Sequence, residues 1–236
     1  MSGKPVISAA EAVADIPDGA TVMIAGFGGA GIPVELVHAL IDQGAKHLTV
    51  VNNNAGTGQI SLAALVREGR VDKVICSYPR TSDSRVFTEA YMAGRVELEL
   101  VPQGTLSERM RAAGAGIPAF FTPTSVGTPL AEGKQHQEIN GRMCVLEHAL
   151  PADYALVKAD LADRYGNLTY RLTARNFGPV MMTAAKTSIV QVSEVVEVGA
   201  IDPANVVTPA VYTDRIVHIP DPAQEELLVR AGARYP

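Results

Sequence analysis

The chain has 236 residues, 47% of them hydrophobic and 19% charged, with 21 glycines and 15 prolines. That is globular composition, and at about 150 residues per domain it means one large domain or two small ones. Twenty Lys and Arg against 25 Asp and Glu leave a net charge of −5 with no basic cluster, which argues against nucleic-acid binding.

Taken in order, the first stretch, MSGKPVISAAEAVADIPDG, has no long apolar run before its acids, so no signal peptide is expected. No later stretch reaches the ~18 uninterrupted apolar residues of a membrane helix. The expectation is a soluble, cytoplasmic protein with no membrane partner. Thr21 to Ala25 reads as a buried strand. Pro33 to Gln43 reads as a helix, with Leu36, Val37, Leu40 and Ile41 on one face, Pro33 in its first turn and Gly44 as its stop. The alternation continues with a strand at Leu48–Val51, a helix at Ile60–Glu68, a strand at Val71–Ser77 and a helix at Asp83–Ala93. A strand at Val96–Val101 and a helix at Leu106–Ala112 complete it. Repeated βα units imply an α/β fold, a mainly parallel sheet with helices on both faces.

The middle differs. Residues 114–133 are rich in Gly, Pro and Thr and read as loop with short strands. Asn140-Gly141 between Gln135–Ile139 and Arg142–Leu146 predicts a hairpin, since both central residues of a type I′ turn need positive φ. This is the small antiparallel insertion. Tyr154–Lys158 resumes the strand pattern, Asn176–Lys186 reads as a helix and Ser188–Val192 as a strand. Residues 1–219 are expected to form a single domain. Residues 220–236, polar and Pro-containing, are expected to form a peripheral tail.

Cys76 and Cys144 are far apart and flanked by apolar residues, which predicts buried thiols rather than a metal knuckle or disulfide framework. The five histidines show no ligand spacing, and no metal site is expected.

The most informative segment follows the first strand. Gly26-Phe27-Gly28-Gly29-Ala30-Gly31 is G-x-G-x-x-G between a strand and a helix, with four glycines in six residues. Glycines there let the backbone approach a ligand, and amides at a helix N-terminus favour a phosphate or pyrophosphate. A dinucleotide site also needs an acid at the end of the second strand. That strand ends instead in Asn52-Asn53-Asn54-Ala55-Gly56, which argues against NAD. The Asn run fits either turn chemistry or ligand-facing amides.

Here the residues resemble a known family. Asp18-Gly19 through Gly26-Phe27-Gly28 and Gly31-x-Pro33 are similar to the signature of the α-type (A) subunit of family I CoA-transferases. So, in order, are Asn53-Asn54-Ala55-Gly56, Pro102-Gln103-Gly104-Thr105-Leu106, Gly114-Ala115-Gly116-Ile117, Ala131-Glu132-Gly133-Lys134, Gly166-Asn167-Leu168-Thr169-Tyr170 and Arg175-Asn176-Phe177-Gly178-Pro179. The resemblance runs from about Val6 to Val217. Cys76-Ser77-Tyr78-Pro79-Arg80 and Gly178 resemble the branch that acts on 3-oxoadipate more than the acetoacetate branch. Ala25 and Ala210 stand where relatives often have Gly.

The resemblance implies a shared active site. A glutamate on a B (beta) subunit would attack an acyl-CoA and carry CoA as a glutamyl thioester between succinyl-CoA and a 3-oxoacid. This chain's Ser107-Glu108 and Ser193-Glu194 lack the Ser-Glu-Asn-Gly context, so no catalytic nucleophile is expected here. Asn53 and Gln103 would support catalysis as pocket amides. Ala25, Gly26, Phe27, Gly28, Gly29, Ala30 and Gly31 would contact CoA, a substrate and product rather than a tightly bound cofactor. Arg80 and Arg175 fit either a pairing with a substrate carboxylate or structural ion pairs. The competing readings are an acetoacetate-type subunit and a non-catalytic nucleotide-binding module.

Overall fold

The computed structural model describes residues 3–236. Its centre is a seven-stranded, all-parallel sheet built from β1 (Thr21–Ile24), β2 (Leu48–Val51), β3 (Val71–Cys76), β4 (Glu97–Leu100), β8 (Ala152–Lys158), β10 (Ala185–Val192) and β12 (Arg215–His218). The strand order is β12-β10-β8-β1-β2-β3-β4. The chain builds outward from β1 to β4, then returns to β8 on the other side of β1. That reversal is a topological switch point, where open parallel sheets leave a crevice at the strands' carboxyl ends.

Both faces of the sheet are covered. Val22 and Ile24 of β1 join one core with Leu36, Leu40 and Leu65 from α2 (Val34–Gln43) and α3 (Ser61–Arg67). That core also takes in α1 (Ala9–Val13) and Phe87 of α4 (Arg85–Met92). Met23, between Val22 and Ile24, joins the opposite core with Leu106 and Met110 of α5 (Gln103–Gly114) and Met181 of α6 (Gly178–Ala184). Period-two alternation with both faces apolar is what a buried parallel strand requires.

The antiparallel insertion holds β5 (Ala119–Thr122), β6 (His136–Ile139) and β7 (Arg142–His148) in the order β5-β7-β6. Asn140 at φ 51° and Gly141 at φ 76° make the predicted turn. Two short parallel strands, β9 (Leu161–Asp163) and β11 (Glu194–Val196), form a third sheet that the sequence pattern does not announce.

Several boundaries move. Pro33 sits just outside α2 as its N-cap residue at ψ 71°, and Gly44 closes that helix in the left-handed conformation. The predicted helix from Asn176 starts only at Gly178 and ends at Ala184, because Ala185 already pairs with Ala152 of β8. Sheet pairing overrides the weak helical pattern of Ala185-Lys186. The helix predicted at Leu106–Ala112 extends back to Gln103, which brings Gln103 to its first turn. α1 is a further addition, although Ser8 and Glu11 form a complete capping box.

The largest departure is at the C-terminus. Expected to be peripheral, the segment from Pro220 instead contains α7 (Glu225–Arg230) and is strapped across the carboxyl end of the sheet. At one end the Ala223 N–H donates to Glu35 Oε1 (2.6 Å) and Lys158 Nζ donates to the Ala223 carbonyl (3.0 Å). At the other, the Tyr235 N–H donates to the Gln59 carbonyl (3.0 Å) and Tyr235 stacks on His38 at 3.7 Å. Polarity hides this packing, since the segment is held mainly by hydrogen bonds rather than an apolar stripe.

Candidate functional site

The segments that follow β1, β2, β3 and β4 converge on one crevice. They carry the glycine loop, the Asn run, Ser77–Ser82 and Gln103, and together with α7 they enclose a cavity of about 790 Å³. A second cavity of about 400 Å³ lies beyond Gly29 and Glu226, lined by Lys158, Asp160 and Arg171.

The glycine loop is a tight turn. Phe27 and Ala30 exchange backbone hydrogen bonds (3.0 and 3.1 Å). The Ala25 amide donates to the Leu156 carbonyl (2.9 Å), and the Gly26 amide donates to Asn176 Oδ1 (3.1 Å). Four of the seven loop amides expected to face a ligand are therefore used inside the fold. Among the described residues, the Gly28 and Gly29 amides on the cavity side have no backbone partner. Ala25 is fully buried and is not among the residues with positive φ, so the methyl group in place of a glycine is tolerated.

The start of α2 is not an open anion site, contrary to the expectation from its position after the loop. Gln191 Oε1 accepts the Leu36 amide (3.2 Å), and Glu35 in the first turn is taken by Gln191 and Ala223. A helix start whose Leu36 amide is taken by an internal carbonyl oxygen, and which carries the Glu35 carboxylate in its first turn, is a poor place for a further negative charge.

Asn176 holds the loop down. Its side chain accepts from Gly26 and Phe177 and donates to the carbonyls of Ala30, Thr173 and Ala174. It lies in the Arg175-Asn176-Phe177 motif, but nothing in its spacing announces contact with a loop 150 residues earlier.

The Asn run divides its labour. Asn52 Oδ1 accepts the Asn54 amide and Asn54 Oδ1 accepts the Gly56 amide, each at 2.8 Å, so these two make consecutive Asx turns. Asn53 differs. Its Oδ1 accepts from the Ser77 hydroxyl (2.7 Å) and from Gln103 Nε2 (3.1 Å). Two donors on Oδ1 fix the amide's orientation and leave Nδ2 without a partner among the described residues, on a side chain that lines the cavity. Asn53 and Gln103 are thus brought together with Ser77, a residue whose role the sequence motif alone does not reveal.

Charge in the cavity is unevenly paired. Arg230 is bonded to Glu226, and just outside the lining Asp83 is held by Arg85 at 2.9 and 3.0 Å. Arg80 lines the cavity with no carboxylate partner among the described residues, whereas Arg175 does not line it. Glu108 pairs with Arg111 on an exposed helix face, and Glu194 is exposed in β11. Burial pushes the Cys76 thiol up to about 12, so it stays protonated, and Cys144 is also buried and free.

Glu225 of α7 is 3% exposed and lines the same cavity. Burial raises its carboxyl to about 7. The Ser61 hydroxyl beside it, with no fully formed hydrogen bond, opposes this only weakly. Its only signal in the sequence is a short Glu-Glu-Leu-Leu-Val-Arg run, acidic at its start and basic at its end. Because the docked carboxyl titrates above its ordinary value, docking is favoured at low pH and weakens as pH rises through about 7. His38, which stacks on Tyr235 of the same strap, is shifted down by burial. Hydrogen exchange of α7, corrected for intrinsic rates, is expected to show less protection at about pH 8 than at about pH 6. In Glu225→Gln that difference should vanish, and equal protection at both values in the unmodified chain would refute the assignment.

Comparison with known proteins gives the family of the chain. The Coenzyme A transferase family model matches residues 6–218. The chain is 58% identical over 219 residues to the A-type subunit of 3-oxoadipate CoA-transferase from Pseudomonas putida, covering 93% of this chain and 95% of that one. It is 46% identical over 215 residues to the A-type subunit of a probable succinyl-CoA:3-ketoacid coenzyme A transferase from Bacillus subtilis (strain 168), covering 91% and 90%. An acyl-CoA transferase of Escherichia coli O157:H7, solved as a thioester complex with CoA, shares the fold at a TM-score of 0.81 and 24% identity. It is aligned over 99% of this chain, which spans half of that longer one. With nearly its whole length matched in sequence and in fold, the chain belongs to the Coenzyme A transferase family.

Proposed function

We propose that this chain is the A-type subunit of a heteromeric 3-oxoacid CoA-transferase that moves CoA from succinyl-CoA to 3-oxoadipate. The observation that carries this reading is the near full-length similarity to two proteins named as the A-type chain of 3-oxoadipate CoA-transferase, at 58% and 52% identity. The reaction belongs to aromatic-compound breakdown in the cytoplasm, and CoA enters and leaves as substrate and product.

The cavity fits half of such a site. It offers amide donors, and the carboxylates of its lining are the Arg230-paired Glu226 and the buried Glu225 of the strap, whose carboxyl burial raises to about 7. A glutamate on the B-type partner supplies the nucleophile. Its carboxylate attacks the thioester carbonyl, and the C–S bond breaks to give an acyl-glutamyl anhydride and CoA thiolate. The thiolate attacks the glutamyl carbonyl and expels succinate, leaving glutamyl-CoA. A 3-oxoadipate carboxylate then reverses both steps and leaves as its CoA ester. Each addition places negative charge on a carbonyl oxygen. Asn53 Nδ2 and the Gly28 and Gly29 amides are donors whose positions are set before the substrate arrives.

The test is reconstitution. The purified chain alone is expected to be folded and inactive, and mixing with a B-type partner to yield transfer from succinyl-CoA to 3-oxoadipate. Full activity of the isolated chain would disprove a partner-borne nucleophile.

A further inference from the structure

Half of the chain's fourteen arginines have no carboxylate partner among the described residues, and of these Arg80 is the one that lines the cavity. Arg67, Arg85, Arg109, Arg111, Arg164, Arg215 and Arg230 each hold a carboxylate. The acid nearest Arg80 in sequence, Asp83, is gripped at both oxygens by Arg85 and is not available to it.

The loop that carries Arg80 is nonetheless well anchored. The Ser77 and Tyr78 amides donate to the Asn53 carbonyl (3.2 and 3.0 Å). The Thr81 hydroxyl donates to the Gly56 carbonyl (3.2 Å), and the Asp83 carbonyl accepts the Gly58 amide (2.9 Å). The backbone on either side is therefore tied to the β2 loop, and the Arg80 side chain is left without a carboxylate partner among the described residues. Arg80 lies three residues past Ser77, whose hydroxyl orients the Asn53 amide. Three residues span at most about 10 Å, so Arg80 lines the same cavity as the amide donors from an attachment point within that reach of Ser77.

That layout suits a substrate with two charged ends. One carboxylate or thioester reacts beside Asn53, and a second carboxylate a few carbons away meets a cation. A guanidinium presents paired N–H donors that match a carboxylate, and with no internal ion pair to hold it, it is free to do so here. We propose that Arg80 binds the distal carboxylate of the acyl group and thereby makes the site select dicarboxylic acids over monocarboxylic 3-oxoacids. This rests on the transferase reading above and adds to it the residue that reads the far end of the acid.

The experiment uses the reconstituted pair of subunits. In ping-pong kinetics kcat/KM for the acceptor reports only the second half-reaction, so the donor's own distal carboxylate does not confuse it. In Arg80→Met, kcat/KM for 3-oxoadipate is expected to fall about 10- to 100-fold. The value for acetoacetate, which has no second carboxylate, should change by less than about 3-fold. Arg80→Lys should lie between the two, since an ammonium keeps the charge and loses the fork. Equal losses for both acceptors, or none for either, would overturn the proposal. If the unmodified pair transfers CoA to neither acid, the transferase reading fails, yet the assignment is still decided by calorimetry on the same pair. Adipate should bind more tightly than hexanoate, and Arg80→Met should abolish the difference. A preference retained in the variant would overturn the role of Arg80.

Discussion

Replacing Asn53 by Asp in the assembled enzyme is expected to lower kcat/KM by about 10²- to 10³-fold, the usual loss for one oxyanion donor. The reason is local. Oδ1 already receives hydrogen bonds from Ser77 and Gln103, so Nδ2 is the only donor the side chain has left. Aspartate keeps the oxygen those two groups bind and turns the remaining donor into a negatively charged acceptor. On the proposed reading the charge would face the developing oxyanion, and binding of the anionic substrate should suffer with it. Thermal stability should change little, because the Ser77 and Gln103 contacts persist. Steady-state kinetics beside a melting curve separate the outcomes. A small kinetic effect in a folded variant would remove Asn53 from the chemistry, and a large loss of stability would make it a structural residue.

The second large effect is on the loop itself. Gly31→Ala is expected to destabilise the chain by about 3 kcal/mol or more and to abolish transfer. Gly31 has φ 75°, and a Cβ there would lie 2.5 Å from the Ala174 carbonyl oxygen and 2.7 Å from Asn176 Nδ2. The oxygen belongs to the backbone and cannot swing aside. Asn176 is the group that holds Gly26 and Ala30 in place, so the strain spreads through the turn. Gly28 is the internal control. It too has positive φ (58°), but nothing lies within 4 Å of a Cβ built on it. Gly28→Ala should cost only about 1 kcal/mol of backbone strain. Denaturant unfolding of both variants checks the contrast, and equal losses would contradict it.

Much of the fold is legible in the sequence because it follows from local pattern. Runs such as Thr21-Val22-Met23-Ile24 and Leu48-Thr49-Val50-Val51 are apolar on both faces, and helices with one apolar face separate them. Only a covered parallel sheet buries both. The Asn140-Gly141 turn is equally legible, since two successive residues of positive φ restrict which side chains can stand there. The glycine loop reads correctly as a sharp turn and incorrectly as a row of free amides. Glycine content reports backbone conformation, not the destination of each N–H. The strap over residues 220–236 is not legible, since it is held by Glu35, Lys158, Gln59 and His38, scattered through the earlier sequence.

The sequence by itself determined the α/β architecture, the place of the glycine turn after the first strand, and the family, because each rests on residues adjacent or regularly spaced along the chain. Tertiary structure alone decided which amides remain free, which way Asn53 faces, that Glu225 is buried over the cavity, and that Arg80 has no carboxylate partner among the described residues. Those properties depend on hydrogen bonds and burial between residues far apart in the chain, such as Gly26 with Asn176 and Asn53 with Gln103. Whether a polar group is consumed or left over is settled only once all its neighbours are in place.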